Sequence, residues 1–351
     1  MAVVDGFCDM DTCSVADASL KVSRKTSGLD SSETLEAVQN LRNTYHLKGL
    51  FYDAALEFDP DMLDAVSFDK VIGNSSATLR MCKDPEVFFS VLDANQIPYP
   101  EISFKPVQGD EEQWLCKRSR SAGGTGVTTL TGPQEQDQGS YYQRKLEGVP
   151  FSLTFLSNGQ NLHALGFNTL WCRDAEPGMP FLYEGAINHA NLTDEQRLAA
   201  LGYTTSLVHE FELVGLNSID FILSNGHVFV LEVNPRIPAT FELYETRQGS
   251  LIRNHIDACV HARLNPAPGR TKLHAHVIVY SPATMCVPSS FNWPLWTADR
   301  PHPGEVIRKN EPLCSVFAGG KNVSQACTAV WSRKQVILDM FMQAGSKSFK
   351  S

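Results

Sequence analysis

The sequence predicts a mixed α/β protein, and two observations carry that prediction. Apolar runs of strand length, such as VIVYSP and VFVLEV, alternate with segments of helical period, such as PEVFFSVLDANQ and TDEQRLAALGYTTSLVHEF. Turns rich in Gly, Pro, Asn and Ser stand between them. With 351 residues, 42% of them hydrophobic, the chain lies far above the disordered range and has room for two or three packed units.

Residues 1–78 read as a small α/β unit. It has a strand near Ala2–Val4, a helix over Glu33–Tyr45, and short strands at Gly49–Tyr52 and Val71–Gly73 that run into GNSS. The polar stretch Val22–Ser32 reads as a loop, and SSETLEAV supplies an N-cap and early acids for the helix that follows. After Lys83, Pro85 opens a helix that Ile97-Pro98 and Tyr99-Pro100 stop. Strands are expected at Trp114–Lys117, Tyr141–Leu146 and Phe151–Leu156, then a helix from Thr193 to about Phe211 and a strand pair. NPAPG breaks the next helix and sets a boundary near Leu264–Arg270. Beyond it come VIVYSP, a Trp- and Pro-rich loop, the strand PLCSVFAGG and a final helix, SRKQVILDMFMQ. The expected division is 1–78, 79–264 and 265–351.

A formal net charge of -9 argues against a binder of phosphate backbones, so nucleic acid is not an expected partner. Nine cysteines, an odd number with no CxxC pair, read as reduced thiols. No run approaches the roughly 18–20 apolar residues of a membrane span, and MAVVDGFCDMDT carries acids where a signal peptide carries Lys or Arg. A soluble cytoplasmic protein with no membrane partner is expected.

The strand pair Ser218–Leu223 and Val228–Asn234 reads as an antiparallel hairpin closed at SNG. A two-residue Asn225-Gly226 turn would pair Ser224 with His227 and place Phe221 and Phe229 on opposite faces. A three-residue turn with Gly226 left-handed pairs Leu223 with His227 and gathers Ile219, Phe221, Leu223, Phe229, Leu231 and Val233 on one face. The three-residue turn is therefore expected. It puts Asp220 diagonal to Glu232, at about 7–8 Å, on the face that also carries Asn234. Two carboxylates so placed repel unless a cation sits between them, and Mg²⁺ with oxygen ligands suits the pair. Arg236, just past the strand, offers a planar fork to a phosphate or carboxylate. Ordinary surface ion pairing among Asp220, Glu232 and Arg236 is the competing reading.

A second feature is KRSRSAGGTGV, Lys117–Val127. A strand delivers Lys117, and the Ser- and Gly-rich loop after it offers backbone N–H groups to phosphates. It is neither a P-loop nor a dinucleotide fingerprint, and a mobile hairpin is the alternative. Combined with Lys83, Lys117 and the later acid pair, however, it completes the parts needed to hold Mg·ATP.

These motifs together resemble the ATP-grasp superfamily, over most of the chain. DFILSNGHVFVLEVNPR is similar to the family's metal hairpin with its E-x-N-x-R ending. The resemblance implies an ATP-grasp fold with a small N-terminal α/β domain, a two-lobed ATP-binding region and a C-terminal α+β subdomain. It assigns Asp220, Glu232 and Asn234 to Mg²⁺ (or Mn²⁺), and Arg236 to phosphate or the activated substrate. It makes Lys83, at the head of the helix after GNSS, and Lys117 the nucleotide lysines. Ser121, Gly123, Gly124 and Gly126 fall in the phosphate lid. YYQRKLEG matches the hinge beside adenine, giving Gln143 and the backbones of Arg144 and Leu146 to the base. Gln143 stands where an acid is common, and Ser152 where some members have a ribose-binding Glu.

The activity implied is Mg·ATP-dependent ligation, in which a carboxylate activated as an acylphosphate is attacked by an amine, with Arg236 and Lys117 catalytic. Rivals are a phosphotransferase on the same fold and a nucleotide-binding sensor without turnover. GLNSIDF, LEVNPR, WPLWTADRP and PLCSVFAGG also resemble an ATP-grasp group of methylotrophic bacteria and planctomycetes associated with one-carbon carriers. Relative to that group the chain starts late, as if a first βα unit were missing before AVVDGF. A homodimer is the default assembly. Of the remaining polar residues, Glu184 and His189 are candidates for substrate contact. His274 and His276 are expected to be structural, and Trp293, Trp296 and Arg300 to serve packing.

Overall fold

The computed structural model describes residues 1–348 apart from 26–27, 58, 67, 120, 122, 131–138, 176–179, 246–249 and 266–271. Its largest element is an eight-stranded antiparallel sheet. The strand order is His227–Asn234, Val214–Ser224, Val149–Asn158, Leu162–Arg173, Leu182–Ile187, Leu273–Tyr280, Pro312–Gly320 and Thr297–Ala298. One face of the first three strands is made by the strand parity of Phe151, Leu153, Phe155, Ile219 and Phe221, all buried. The helix Asp194–Glu210 packs on this face through Ala200, Leu207 and Val208, and a capping box between Thr193 and Gln196 starts it.

The opposite parity is buried too, but by polar groups. Asn168 Nδ2 donates to Ser152 Oγ and Thr154 Oγ1 at 3.0 Å each, Tyr244 OH donates to Asn168 Oδ1 at 2.6 Å, and the Thr154 and Thr240 hydroxyls lie 2.7 Å apart. Every buried polar group named here has its partner, as burial requires.

The strands Leu273–Tyr280 and Pro312–Gly320 continue the same sheet, and the helix Val323–Ser348 covers them through Ala326, Val330, Ile337 and Phe341. A division after residue 264 therefore separates two cores that share one sheet. Most of the expected linker, 266–270, lies outside the described residues.

A smaller four-stranded sheet, in the order Ile102–Ser103, Ser140–Arg144, Trp114–Arg118 and Val127–Thr129, stands across a cavity from the large one. The N-terminal unit has two parallel pairs, Ala2–Asp5 with Ala18–Lys21 and Leu50–Phe51 with Val71–Ile72. Its own core is built on Val38, Tyr52, Leu56, Met62, Leu63, Val66 and Leu79. The helix Met10–Val15, capped by Asp9, and the helix Pro60–Ala65, capped by Asp59, were not expected. Both have six residues, too few for a periodic signal. The stretch read as a loop over Val22–Ser32 contains the short ladder Arg24–Lys25 with Gly28–Leu29. Among the described residues no helix is long and apolar enough to cross a membrane.

Candidate functional site

The hairpin departs from the expected register, and the departure changes the site. Ser224 pairs with His227, so the turn has two residues, and both Asn225 (φ 48°) and Gly226 (φ 83°) are left-handed, as a type I′ turn needs. The register slips between Phe221, opposite Val230, and Asp220, opposite Glu232, so that Leu231 is an extra residue on its strand. The bulge restores the parity that the short turn disturbs. Val228 and Val230, rather than Phe229 and Leu231, join Ile219, Phe221 and Val233 in the core. Asp220 faces Glu232 directly instead of diagonally, and Ser218 faces Asn234.

This face lines a cavity of 1270 Å³ between the two sheets. Of the residues singled out from the sequence, Lys83, Lys117, Ser121, Gly123, Gly124, Gln143, Arg144, Leu146, Asp220, Glu232, Asn234 and Arg236 all line it. Gly126 is buried beneath the loop, where a Cβ would come within 2.0 Å of Ser121 Oγ. Ala122 lies outside the described residues.

The acids are held by a chain of polar contacts. Asn234 Nδ2 donates to Asp220 Oδ2 at 3.2 Å, and Arg236 Nη2 donates to Asn234 Oδ1 at 3.2 Å. Burial, and then the charge of Glu232 beside it, push the Asp220 carboxyl well above the usual carboxylate range. Two opposed carboxylates, one carrying this penalty, fit a hard divalent cation, which supplies the missing positive charge and takes oxygen ligands. Among the described residues no three His, Cys, Asp or Glu side chains converge on a metal site, so the proposed cation would rest on this carboxylate pair and Asn234.

Arg236 leads to a residue that sequence reading missed. Its Nε donates to Glu57 Oε2 at 2.9 Å, and Glu57 Oε1 is 2.6 Å from Lys83 Nζ. Glu57 is fully buried. Burial works against its charge, but Arg236 and Lys83 together hold its carboxyl below the usual range. Lys83 also donates to Val233 O at 3.1 Å. It sits at the C-terminal end of the helix Ser76–Lys83, not at the head of a helix as expected, because Asp84 ends that helix and caps the next, Pro85–Ala94.

Lys117 is placed differently. It leaves the strand Trp114–Arg118 towards the cavity, and among the described residues no carboxylate forms an ion pair with it. Burial lowers its pKa, and the more distant Glu232 and Asp220 only partly oppose the shift. In the loop that follows, Gly123 (φ 60°) and Gly124 (φ 81°) are consecutive left-handed residues. Gly123 O accepts from Tyr183 N at 2.9 Å, and a Cβ on Gly124 would stand 1.9 Å from Phe181 O. The loop thus reaches from the small sheet to the edge of a strand in the large one.

At the other end of the cavity, Gln143 is 1% exposed and its Nε2 has no partner among the described residues. Arg144 N–H is taken by Glu101 O at 2.7 Å, and its guanidinium turns away to Gln113 and the face of Trp114. Ser152 lines the wall beside the acids. Glu184 also lines the cavity, paired with Lys334 at 2.5 Å, whereas His189 stands outside its lining, with its carbonyl taken by Thr169. His276 is buried 2.5 Å from Tyr183 OH, Trp293 packs with Phe291 and Phe341, Trp296 lies under Arg333, and Arg300 pairs with Asp11.

A family model described as an ATP-grasp domain matches residues 82–240. Among solved structures, the biotin carboxylase domain of Hydrogenobacter thermophilus 2-oxoglutarate carboxylase, in complex with MgADP, ADP and bicarbonate, superposes with a TM-score of 0.71 at 12% identity. That match covers 94% of this chain and 88% of that one. N5-carboxyaminoimidazole ribonucleotide synthetase from Thermotoga maritima gives 0.64 at 18% identity, covering 95% and 91%. L-amino acid ligase from Bacillus licheniformis gives 0.63 at 14% identity, covering 91% and 86%. At such identities the structures speak for the fold alone: the chain has the ATP-grasp fold, and its residues 82–240 match the ATP-grasp domain model.

Proposed function

We propose that the chain is a Mg·ATP-dependent ligase that activates a carboxylate as its acylphosphate for attack by an amine. The observation that carries this reading is that one cavity collects two buried lysines, a glycine loop, an opposed carboxylate pair and an arginine fork drawn from segments far apart in sequence. In this reading Lys83 and Lys117 bind the phosphates, Gly123 and Gly124 close over them, and Gln143 with the Arg144 and Leu146 backbones takes the base. Asp220, Glu232 and Asn234 hold Mg²⁺, which when bound supplies charge neutralisation at the phosphates. Transfer of the γ-phosphoryl group to a carboxylate oxygen yields ADP and an acylphosphate. The amine then adds to the carbonyl, the C–N bond forms, phosphate leaves and the amine proton is lost. Arg236 offers its fork to the charge that develops on the oxygens, and the glycine loop excludes water that would hydrolyse the intermediate. We further propose, on the resemblance of GLNSIDF, LEVNPR and WPLWTADRP alone, that the product serves assembly of a one-carbon carrier.

The test is ADP release by the purified protein from ATP and Mg²⁺ with a panel of carboxylates, each with and without glutamate, tyramine and other amines. Amine-dependent ADP formation, lost in Glu232→Ala, is the expected result. ADP formed with a phosphorylated product and no amine dependence points to a phosphotransferase. Nucleotide binding with no turnover on any pair points to a sensor.

A further inference from the structure

We propose that Glu57 is a positioning residue of the nucleotide site, through which the N-terminal unit sets the directions of Lys83 and Arg236. The inference rests on the ATP-binding reading above and adds to it a residue outside the matched domain, residues 82–240.

Glu57 stands in the turn between the strand Leu50–Phe51 and the helix Pro60–Ala65. Its neighbour Leu56 is anchored in the N-terminal core, so the backbone that carries it is fixed from that side. A second set of contacts pins the same unit to the hairpin. Tyr52 OH donates to Asn74 O at 2.8 Å, Asn74 Nδ2 donates to Pro235 O at 2.8 Å and Asn217 Oδ1 at 2.7 Å, and Asn74 Oδ1 accepts from Val214 N at 2.8 Å. The carboxylate of Glu57 is thereby delivered, without solvent, between two cations whose side chains are otherwise long and flexible.

Each cation gains a direction from this. A lysine ammonium is a point charge on four rotatable bonds, and Glu57 together with Val233 O holds that of Lys83 at the cavity wall. Arg236 has five donors. Glu57 takes Nε, Ile237 O takes one N–H of Nη1, and Asn234 Oδ1 takes one of Nη2, so the plane of the fork is set and two N–H groups are left for a ligand. A carboxylate in this place also limits the repulsion between two buried cations held close together, which would otherwise disfavour the arrangement that a polyphosphate needs.

The test is a double-mutant cycle on Mg·ADP affinity, measured by calorimetry on the full chain with Glu57→Gln, Lys83→Met and the pair together. Glu57→Gln is expected to weaken binding about tenfold and Lys83→Met by about tenfold or more, with the double variant losing clearly less than the product of the two, because the part of the Glu57 effect that runs through Lys83 is already gone while the part through Arg236 remains. A merely structural contribution of Glu57 would instead multiply the two losses. Unchanged affinity in Glu57→Gln, or multiplicative losses, overturns the inference. Should Glu57→Gln fail to fold by its thermal melt, Glu57→Asp takes its place in the same cycle with the same criterion, since a carboxylate one methylene shorter cannot reach both cations. A wild-type protein that binds no Mg·ADP overturns the nucleotide reading itself, and this inference with it; wild-type binding that Glu57 substitutions leave untouched overturns this inference alone.

Discussion

Two buried lysines line the same cavity, and they are held in opposite ways. Lys83 meets a carboxylate of its own chain at 2.6 Å, and although burial works against its charge, Glu57 and Glu232 hold its pKa above the usual value. Lys117 has no such partner among the described residues, and burial carries its pKa below the usual value against the weaker pull of Glu232 and Asp220. On the proposed function both lysines meet phosphate, but Lys83 is directed in advance by the scaffold and Lys117 is the open receptor: the cost of burying the Lys83 ammonium is largely met inside the protein, and that at Lys117 would be met by the bound anion. A site built this way is partly destabilised until it is filled, which is the usual relation between a binding group and the stability of its host.

The largest effect should come from the group that acts on both lysines. Glu232→Ala is expected to lower ADP release by on the order of a thousandfold, because it removes one of two opposed carboxylates at the proposed metal face as well as the charge that both lysines feel. Steady-state turnover against Mg²⁺ concentration checks it, and a variant that keeps more than about a tenth of the activity would remove Glu232 from the proposed chemistry.

The lysines themselves should then part company. Lys83→Met leaves Glu57 with Arg236 alone, so unfolding in urea should show a loss of about 2–3 kcal/mol. Lys117→Met removes an unpaired buried charge, so stability should stay level or rise by about 1 kcal/mol while nucleotide affinity falls. Equal stability changes in the two variants would erase the distinction drawn here. Gly124→Ala should act on the receptor side only: a Cβ 1.9 Å from Phe181 O must lift the loop, weakening nucleotide binding by about tenfold with a smaller effect on the melting temperature.

The same contrast explains which parts of the site could be read from the sequence. Asp220, Glu232 and Asn234 stand on strands, where parity assigns them to one face without any tertiary knowledge, and Lys117 is marked by the strand that delivers it to the glycine loop. The bulge at Leu231 could not be read, because Leu231 is apolar on either face, and a two-residue turn followed by a bulge gives as apolar a core face as the expected three-residue turn without one. Nor could the strand Leu162–Arg173, since it is half-buried along most of its length and its one buried residue, Asn168, is polar, so no apolar alternation marks it. Glu57 was out of reach for another reason. It is 179 residues from Arg236, and its only local signal is a single acid after the apolar run AALEF begins, in a turn where acids are common. Partnerships that depend on the packing of two units leave no periodicity to find.

Histidines extend the comparison to a base that can surrender its proton. His276 is buried on the strand Leu273–Tyr280 beside Tyr183 OH, has no carboxylate partner among the described residues, and has its pKa pushed down to about 4 by burial. A folded-state pKa below the unfolded value of about 6.5 means that the unfolded chain binds the proton first. The stability tied to His276 is therefore fully present above about pH 6.5 and is lost progressively as pH falls towards 4. Other groups titrate in the same range. His255 shifts down in the same way, while burial raises Glu242 to about 7, which works in the opposite sense. The single-residue effect is for that reason best read as a difference. Relative to His276→Gln, the wild-type unfolding free energy should fall by about 1 kcal/mol between pH 7 and pH 5.5. A difference that stays constant over this interval would mean that His276 keeps its proton when buried, and that a buried base without a carboxylate beside it does not behave as Lys117 does.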